Sequence, residues 1–286
     1  MIELRRLHRY FDRTRAVDDV SFEVPRGTVF GYIGPNGAGK TTSMRILATL
    51  DLPTYGDALV DGFSVVNDPD RVRRRLGFMP DSFGTYANVN CQEYLDFFAR
   101  AYGLVGRERF QALRRTMSFT GLDKLAEKPI RGLSKGMKQR LCLGRAMIHD
   151  PSVLILDEPA AGLDPRARIE LREMIRQLAA DGKTVLISSH ILTELAEMCD
   201  RVGIIEQGRL LATGTVADIQ RGRTPHSEVR VSVLGDVAAL ENWLRQRPDV
   251  QDVIANGEAV RFAHTGGREE QADFLREMIL AGFRIA

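Results

Sequence analysis

The chain has 286 residues, 44% of them hydrophobic and 27% charged, with a net charge of +2, which suits one large globular domain plus a small one and gives no strong field for nucleic acid. The Arg71-Val72-Arg73-Arg74-Arg75 cluster has no aromatic residues interleaved and reads as a solvated helix face, so no nucleic-acid partner is expected. No apolar run approaches the roughly 18 residues that span a bilayer, Met1-Ile2-Glu3-Leu4-Arg5 lacks the apolar block of a secretory signal, and Cys91, Cys142 and Cys199 have no metal-like spacing, so a cytoplasmic chain with reduced packing thiols is expected.

Residues 1 to 33 alternate apolar and polar positions in three runs, near 2 to 7, 17 to 24 and 28 to 33, which predicts an antiparallel strand system. Tyr10 and Phe11 fall between the first two runs. An aromatic there either stacks on a base or simply packs, and the residues leave both open. Phe30-Gly31-Tyr32-Ile33 then runs into Gly34-Pro35-Asn36-Gly37-Ala38-Gly39-Lys40-Thr41-Thr42, a complete phosphate-binding loop. Its glycines let successive N–H groups turn toward phosphate oxygens, and the helix that follows adds its own unpaired N–H groups. Lys40 is placed to reach the β- and γ-phosphates, and the Thr41 hydroxyl to ligate Mg²⁺.

The helix over 41 to 50 is broken at Pro53-Thr54-Tyr55-Gly56-Asp57 before a strand over 58 to 60, and Asp68-Pro69-Asp70 opens the basic helix. A strand over 76 to 79 ends in the loop Pro80-Asp81-Ser82-Phe83-Gly84. From there to Leu125 the periodicity is helical, as in a helical subdomain inserted into an α/β core. Leu133-Ser134-Lys135-Gly136-Met137 follows, with Ser134 as N-cap of a helix from Met137 to about 149, and Gly136 keeping backbone close to whatever that helix end faces, a second potential anion site.

Val153-Leu154-Ile155-Leu156-Asp157-Glu158 has no polar alternation, as in a parallel strand covered on both faces, and ends in two carboxylates where ligands bind in open α/β sheets. Strand alternation predicts that Asp157 and Glu158 diverge, one toward metal and the other toward an attacking water. Gly162-Leu163-Asp164-Pro165 opens a helix to about 180, and the strand over 184 to 187 ends in Ser188-Ser189-His190, on the same side of the sheet as the carboxylates. There His190 is placed for a polar contact to a γ-phosphate. Two strands, 202 to 206 and 209 to 212, joined at Gln207-Gly208, predict a closing hairpin.

Beyond Arg221-Gly222-Arg223-Thr224-Pro225 the pattern becomes strand, helix over 237 to 245, hairpin across Asn256-Gly257, helix over 268 to 280 and the start of a last strand at 283 to 286. That order predicts a small ferredoxin-like α+β domain. With no charged or metal-ready cluster, a packing or dimer-supporting role is expected of it.

The phosphate loop, Leu133-Ser134 with Gly136, the strand ending in Asp157-Glu158, Gly162-Leu163-Asp164 and His190, in that order, resemble the nucleotide-binding subunit of an ATP-binding-cassette (ABC) transporter. The likeness runs from about residue 2 to 220. The wording around Phe78-Met79-Pro80-Asp81 and Ser188-Ser189-His190-Ile191-Leu192 is similar to a drug-export subfamily whose permeases are separate chains. The resemblance implies an α/β fold: a P-loop ABC ATPase core over 1–222 with an antiparallel β-subdomain and a helical subdomain about 80–145, then an accessory domain over 223–286. It implies ATP and Mg²⁺, with Tyr10 stacking on adenine, Asp157 holding Mg²⁺ through water, Glu158 polarising the attacking water and His190 touching the γ-phosphate. It also implies a head-to-tail homodimer, with Ser134 and Gly136 of one copy closing over ATP on the other's loop and Asp164 at the seam. The chain is then expected at the inner face of the membrane, held by a separate integral permease gripped near Phe83, Gly84, Thr85 and Tyr86.

Three residues depart from the family pattern. Lys135 and Met137 stand where the signature has Gly and Gln, and Asp81 stands where Gln is usual; Asp81 either ligates the metal more strongly or sits back from it. The rival reading, a soluble ATPase of the same superfamily in DNA repair or translation, expects a long coiled-coil insert or two cassettes. Only 93 positions separate Lys40 from Leu133, without heptads, and there is one cassette. A non-hydrolysing sensor would lack Glu158, which is present.

Overall fold

Alternating burial builds the first sheet. In β1 (Ile2–Phe11) and β2 (Thr14–Val24), Ile2, Leu4, Val20, Phe22 and Val24 turn inward while Glu3, Arg5 and Glu23 face out or sit at the edge. The structure, a computed structural model, describes residues 1–81, 84, 88–222, 227–233, 235–247, 249–256, 259–264 and 268–285. They fall into two compact units, Met1–Val216 and Ala217–Ala286.

Tyr10 and Phe11 belong to β1 itself and not to a connection between strands. Register shifts between Leu4 and Tyr10, with Arg6 at φ +42°, interrupt the local alternation and hide the strand's last residues. The next run, β3 (Val29–Ile33), does not join this antiparallel sheet. After the helix α1 (Lys40–Leu47), β4 (Tyr55–Val60) and β5 (Phe63–Ser64) complete it, in the order β2-β1-β4-β5.

Five buried positions in a row place β3 in the middle of the other sheet. Past α2 (Pro69–Arg73) come β6 (Leu76–Met79), the helices α3 (Cys91–Ala101), α4 (Gly106–Phe119) and α5 (Lys135–Met147), β7 (Val153–Leu156), α6 (Pro165–Ala180), β8 (Thr184–Ser189), α7 (Leu192–Ala196), β9 (Arg201–Glu206) and β10 (Arg209–Thr215). The six-stranded order is β10-β9-β3-β8-β7-β6, parallel except for the β9–β10 hairpin at its edge. Its parallel strands set Ile33 beside Ser189 and Leu156 beside Ile187, so the segments that follow them share one rim.

The helical subdomain has its own core, with Leu95, Met117, Ile130 and Leu141 buried together. Asn90 begins α3 with a reciprocal cap: its Oδ1 accepts from Glu93 N at 2.8 Å and its own N–H donates to Glu93 Oε2 at 2.9 Å. Burial pushes the Cys142 thiol up to about 11 and Cys199 to about 12, which keeps both protonated and inert.

After α8 (Val216–Gly222), the second unit holds β11 (Ser227–Ser232), α9 (Val237–Arg245), β12 (Val250–Asn256), β13 (Ala259–His264) and α10 (Arg268–Leu280), with strand order β11-β13-β12, all antiparallel. Leu240, Leu244, Phe262, Phe274 and Met278 form its core. The expected last strand is only a single bridge, Ile285 to Val233. Gly257 of the predicted turn and Arg223-Thr224-Pro225 of the predicted linker lie outside the described residues, as do Phe83, Thr85 and Tyr86. Among the described residues no helix is long and apolar enough to cross a membrane.

Candidate functional site

The site is built where β3 gives way to α1. Lys40 is 95% buried, with 5% of its surface accessible, and its Nζ donates to Gly34 O at 2.6 Å and Pro35 O at 3.1 Å. The loop thus wraps around its own lysine. Two glycines make the wrap possible: a Cβ on Gly34 would stand 2.2 Å from Ile205 O, and one on Gly39, at φ +104°, 2.3 Å from Ala16 O. Pro35, Asn36 and Gly37 form the exposed crest, Ala38 is buried behind it, and Thr41 is exposed at the helix start beside Thr42. Among the described residues, the N–H groups of Lys40, Thr41 and Thr42 have no backbone acceptor. A buried cation below a ring of outward donors is the arrangement that holds a polyphosphate.

The carboxylates arrive from β7, next but one to β3. Asp157 is 1% exposed, and its Oδ1 accepts from Ser188 Oγ at 2.7 Å. Burial is the main cause that pushes its carboxyl above the usual range; Glu158 and Asp81 add repulsion, and hydroxyls of Ser188 and Thr41 oppose it. The Glu158 N–H donates to the same Ser188 Oγ at 2.8 Å. The two carboxylates do diverge, but for a different reason than strand alternation. β7 ends at Leu156, and Glu158 lies beyond it in the left-handed region at φ +47°.

That conformation brings Glu158 to Lys40 and His190. Its Oε1 lies 3.4 Å from Lys40 Nζ, and its Oε2 3.0 Å from His190 Nδ1. Oε1 is buried and has no hydrogen-bond partner among the described residues, so it retains acceptor capacity toward a bound molecule. His190 is the more open of the pair, 45% exposed against 15%.

Tyr10 reaches this rim indirectly. It pairs with Arg15, whose neighbour Ala16 presses on Gly39. Its hydroxyl donates to Asp18 Oδ1 at 3.0 Å, and Arg209 grips Asp18 Oδ2 at 2.8 Å. The Arg209 guanidinium, with the Tyr10 hydroxyl, holds the Asp18 carboxyl down to about 2. This brace joins β1, β2 and β10 and has no signature in local sequence.

Ser134 caps α5, which starts at Lys135 and not at Met137; its Oγ accepts from Met137 N at 3.3 Å. Asp164 caps α6 by accepting from Ala167 N at 2.9 Å. Ser134, Gly136, Leu163, Asp164 and Ala167 line one surface cavity of about 120 Å³, so the two caps share a face. Among the described residues, no hydrogen bond or ion pair joins Ser134 or Gly136 to the phosphate loop, Asp157, Glu158 or His190. Asp81 is exposed just past β6, close enough for its charge to act on Asp157.

Thr41, Asp157 and Asp81 offer only oxygen donors, the set suited to Mg²⁺. Among the described residues no group of three or more His, Cys, Asp or Glu side chains could hold a metal ion. The raised Asp157 carboxyl is consistent with a position that a cation would relieve.

The pattern of the family described as ABC transporter matches residues 17–161. The probable multidrug ABC transporter ATP-binding protein YbhF of Escherichia coli (strain K12) is 39% identical over 220 residues, 77% of this chain but 38% of that protein, so the chain spans well under half of that relative's length. The linearmycin resistance ATP-binding protein LnrL of Bacillus subtilis (strain 168) is 31% identical over 256 residues, 90% of this chain and 82% of its own. A solved ATP-binding subunit of an ABC transporter superposes with a TM-score of 0.70 at 32% identity, covering 78% of this chain and 92% of that one.

Proposed function

The chain belongs to the ABC transporter family, and from that premise we propose that it is the ATP-hydrolysing subunit of an exporter that drives a separate membrane permease. The observation that carries this is the convergence of Lys40, Glu158 and His190 at the mouth of the phosphate loop.

In this reading, the N–H groups of Lys40, Thr41 and Thr42 bind the phosphates and Lys40 neutralises the β- and γ-oxygens. Tyr10, held by Asp18, stacks on the adenine. Mg²⁺ would be held by Thr41 and Asp157, with Asp81 as the further candidate ligand, and would supply charge neutralisation at the phosphates. Glu158 Oε1 takes the proton of the attacking water, and His190 fixes the opposite oxygen so that the acceptor lone pair stays aimed.

In this reading the phosphate loop covers one half of what a triphosphate needs, and the helix end at Ser134 and Gly136 covers the other. A second copy, head to tail, supplies the missing half, with Asp164 at the seam. Support for a membrane partner comes from a cavity of about 290 Å³ lined by Leu50, Phe78, Phe98 and Tyr102, with exposed Leu52 and Phe97 beside them in sequence. The names of two relatives, a probable multidrug ABC transporter protein and a linearmycin resistance protein, support a transport role, and the reading places the chain at the inner face of the membrane. The 223–286 segment is read as an accessory domain.

The test is Glu158→Gln with MgATP. Loss of the base should cut turnover by about 10²–10⁴ while light scattering reports a long-lived dimer. Undiminished turnover, or a variant that binds ATP and stays monomeric, would overturn the reading.

A further inference from the structure

His190 sits in a turn that has little support of its own. α7 has only five residues, and Ile191 at its N-cap makes no side-chain cap bond. What holds the turn is Ser189, which is 3% exposed. Its Oγ accepts from Ile191 N at 3.0 Å and donates to Glu194 Oε2 at 3.3 Å, while its carbonyl accepts from Gly34 N at 3.3 Å. The other Glu194 oxygen, Oε1, meets Arg168 Nη1 of α6 at 3.0 Å. Glu194 is 17% exposed and Arg168 44%, so the carboxylate sits inside the more open guanidinium.

We propose that Glu194 and Arg168 are positioning residues for His190, acting through Ser189 to fix the turn that sets the imidazole 3.0 Å from Glu158. One carboxylate spans the turn and α6. Asp164 caps α6 one turn before Arg168, so one rigid helix sets both the Asp164 cap and the His190 turn. A second rung, Arg172 to Glu197, ties the far end of α7 to the same helix. Without the brace, the Ile191 N–H loses its aligned acceptor and the imidazole swings away from Glu158. The proposal rests on Glu158 and His190 acting in hydrolysis, as proposed above.

The test uses the full chain and steady-state hydrolysis of MgATP. Arg168→Met and Glu194→Ala should each lower kcat about tenfold or more while the KM for ATP moves less than about twofold, and Arg168→Lys should restore most of the rate. In a His190→Ala background the same changes should cost less than about twofold, because the group they act through is gone. Amide exchange at Ile191, measured without nucleotide, should quicken in Glu194→Ala. Additive losses in the His190→Ala background, or unchanged Ile191 exchange, would overturn the brace. A wild-type chain that hydrolyses no ATP would instead count against the function proposed above, and Ile191 exchange would still decide the brace.

Discussion

The ammonium of Lys40 stands 3.4 Å from Glu158 Oε1, so the cation of the phosphate loop and the carboxylate beyond β7 already share their charge across the rim. Each is held by a second element: Lys40 by the loop carbonyls and Glu158 by His190. Because Lys40 is nearly buried, its charge acts at short range and in low dielectric.

Lys40→Ala is therefore expected to weaken ATP binding by about tenfold to a hundredfold, the loss of one to two charge-assisted hydrogen bonds at roughly 1.5–3 kcal/mol in all. Isothermal titration calorimetry decides it, and an unchanged dissociation constant would remove Lys40 from the site.

Asp157 is expected to work against the fold that carries it. Its carboxyl titrates above the unfolded value, chiefly through burial, so its ionised form costs stability at neutral pH and that cost is relieved as pH falls through the folded value. Asp157→Asn should raise the nucleotide-free melting temperature while abolishing Mg²⁺-dependent hydrolysis. A lower melting temperature would mean that the hydroxyl contacts outweigh the desolvation.

Asp81 separates its two readings by titration. If it ligates Mg²⁺, Asp81→Asn should move the half-saturating Mg²⁺ concentration for hydrolysis upward by several fold. Superimposable curves would mean that the exposed carboxylate acts only by its charge on Asp157.

His149 should make the protein acid-sensitive. Its ring stacks on Tyr102 with centroids 3.6 Å apart, and burial lowers its pKa to about 4 against the opposing pull of the Leu76 backbone. The unfolded chain binds a proton below its ordinary value of 6.5 that the folded chain refuses. Stability from this group is thus complete above that value and lost as pH falls toward 4. Urea midpoints at neutral and mildly acid pH should fall less for His149→Phe than for wild type, and equal falls would assign the sensitivity elsewhere.

The phosphate loop and β7 were legible because each is a local pattern: glycines and Lys40 at fixed spacing, and an unbroken aliphatic run into Asp157. In the second unit, α9, the β12–β13 hairpin and α10 follow the sequence pattern because each is a local run, while the expected last strand is reduced to one bridge. What escaped was set by distant partners. β3 looks like its antiparallel predecessors, and only pairing with β8 and β9 makes it central. Nothing around Glu158 announces a left-handed residue, nor does Asp18 announce Arg209. Ser188 and Glu194 flank His190 closely enough to have been suspected, but their bonds to Asp157 and Arg168 exist only after β7 and α6 are in place.

The carbonyl of Ile205 presses on Gly34, Gly208 N donates to Ala38 O at 3.0 Å, and β9 flanks β3. A ribosome delivers the lysine-bearing loop early, yet the hairpin that buttresses it emerges only some 170 residues later. During synthesis the loop must wait for most of the chain before it can settle, a long-range closure that slows folding. A protein interrupted before that hairpin should carry the full phosphate-binding wording and grip no nucleotide.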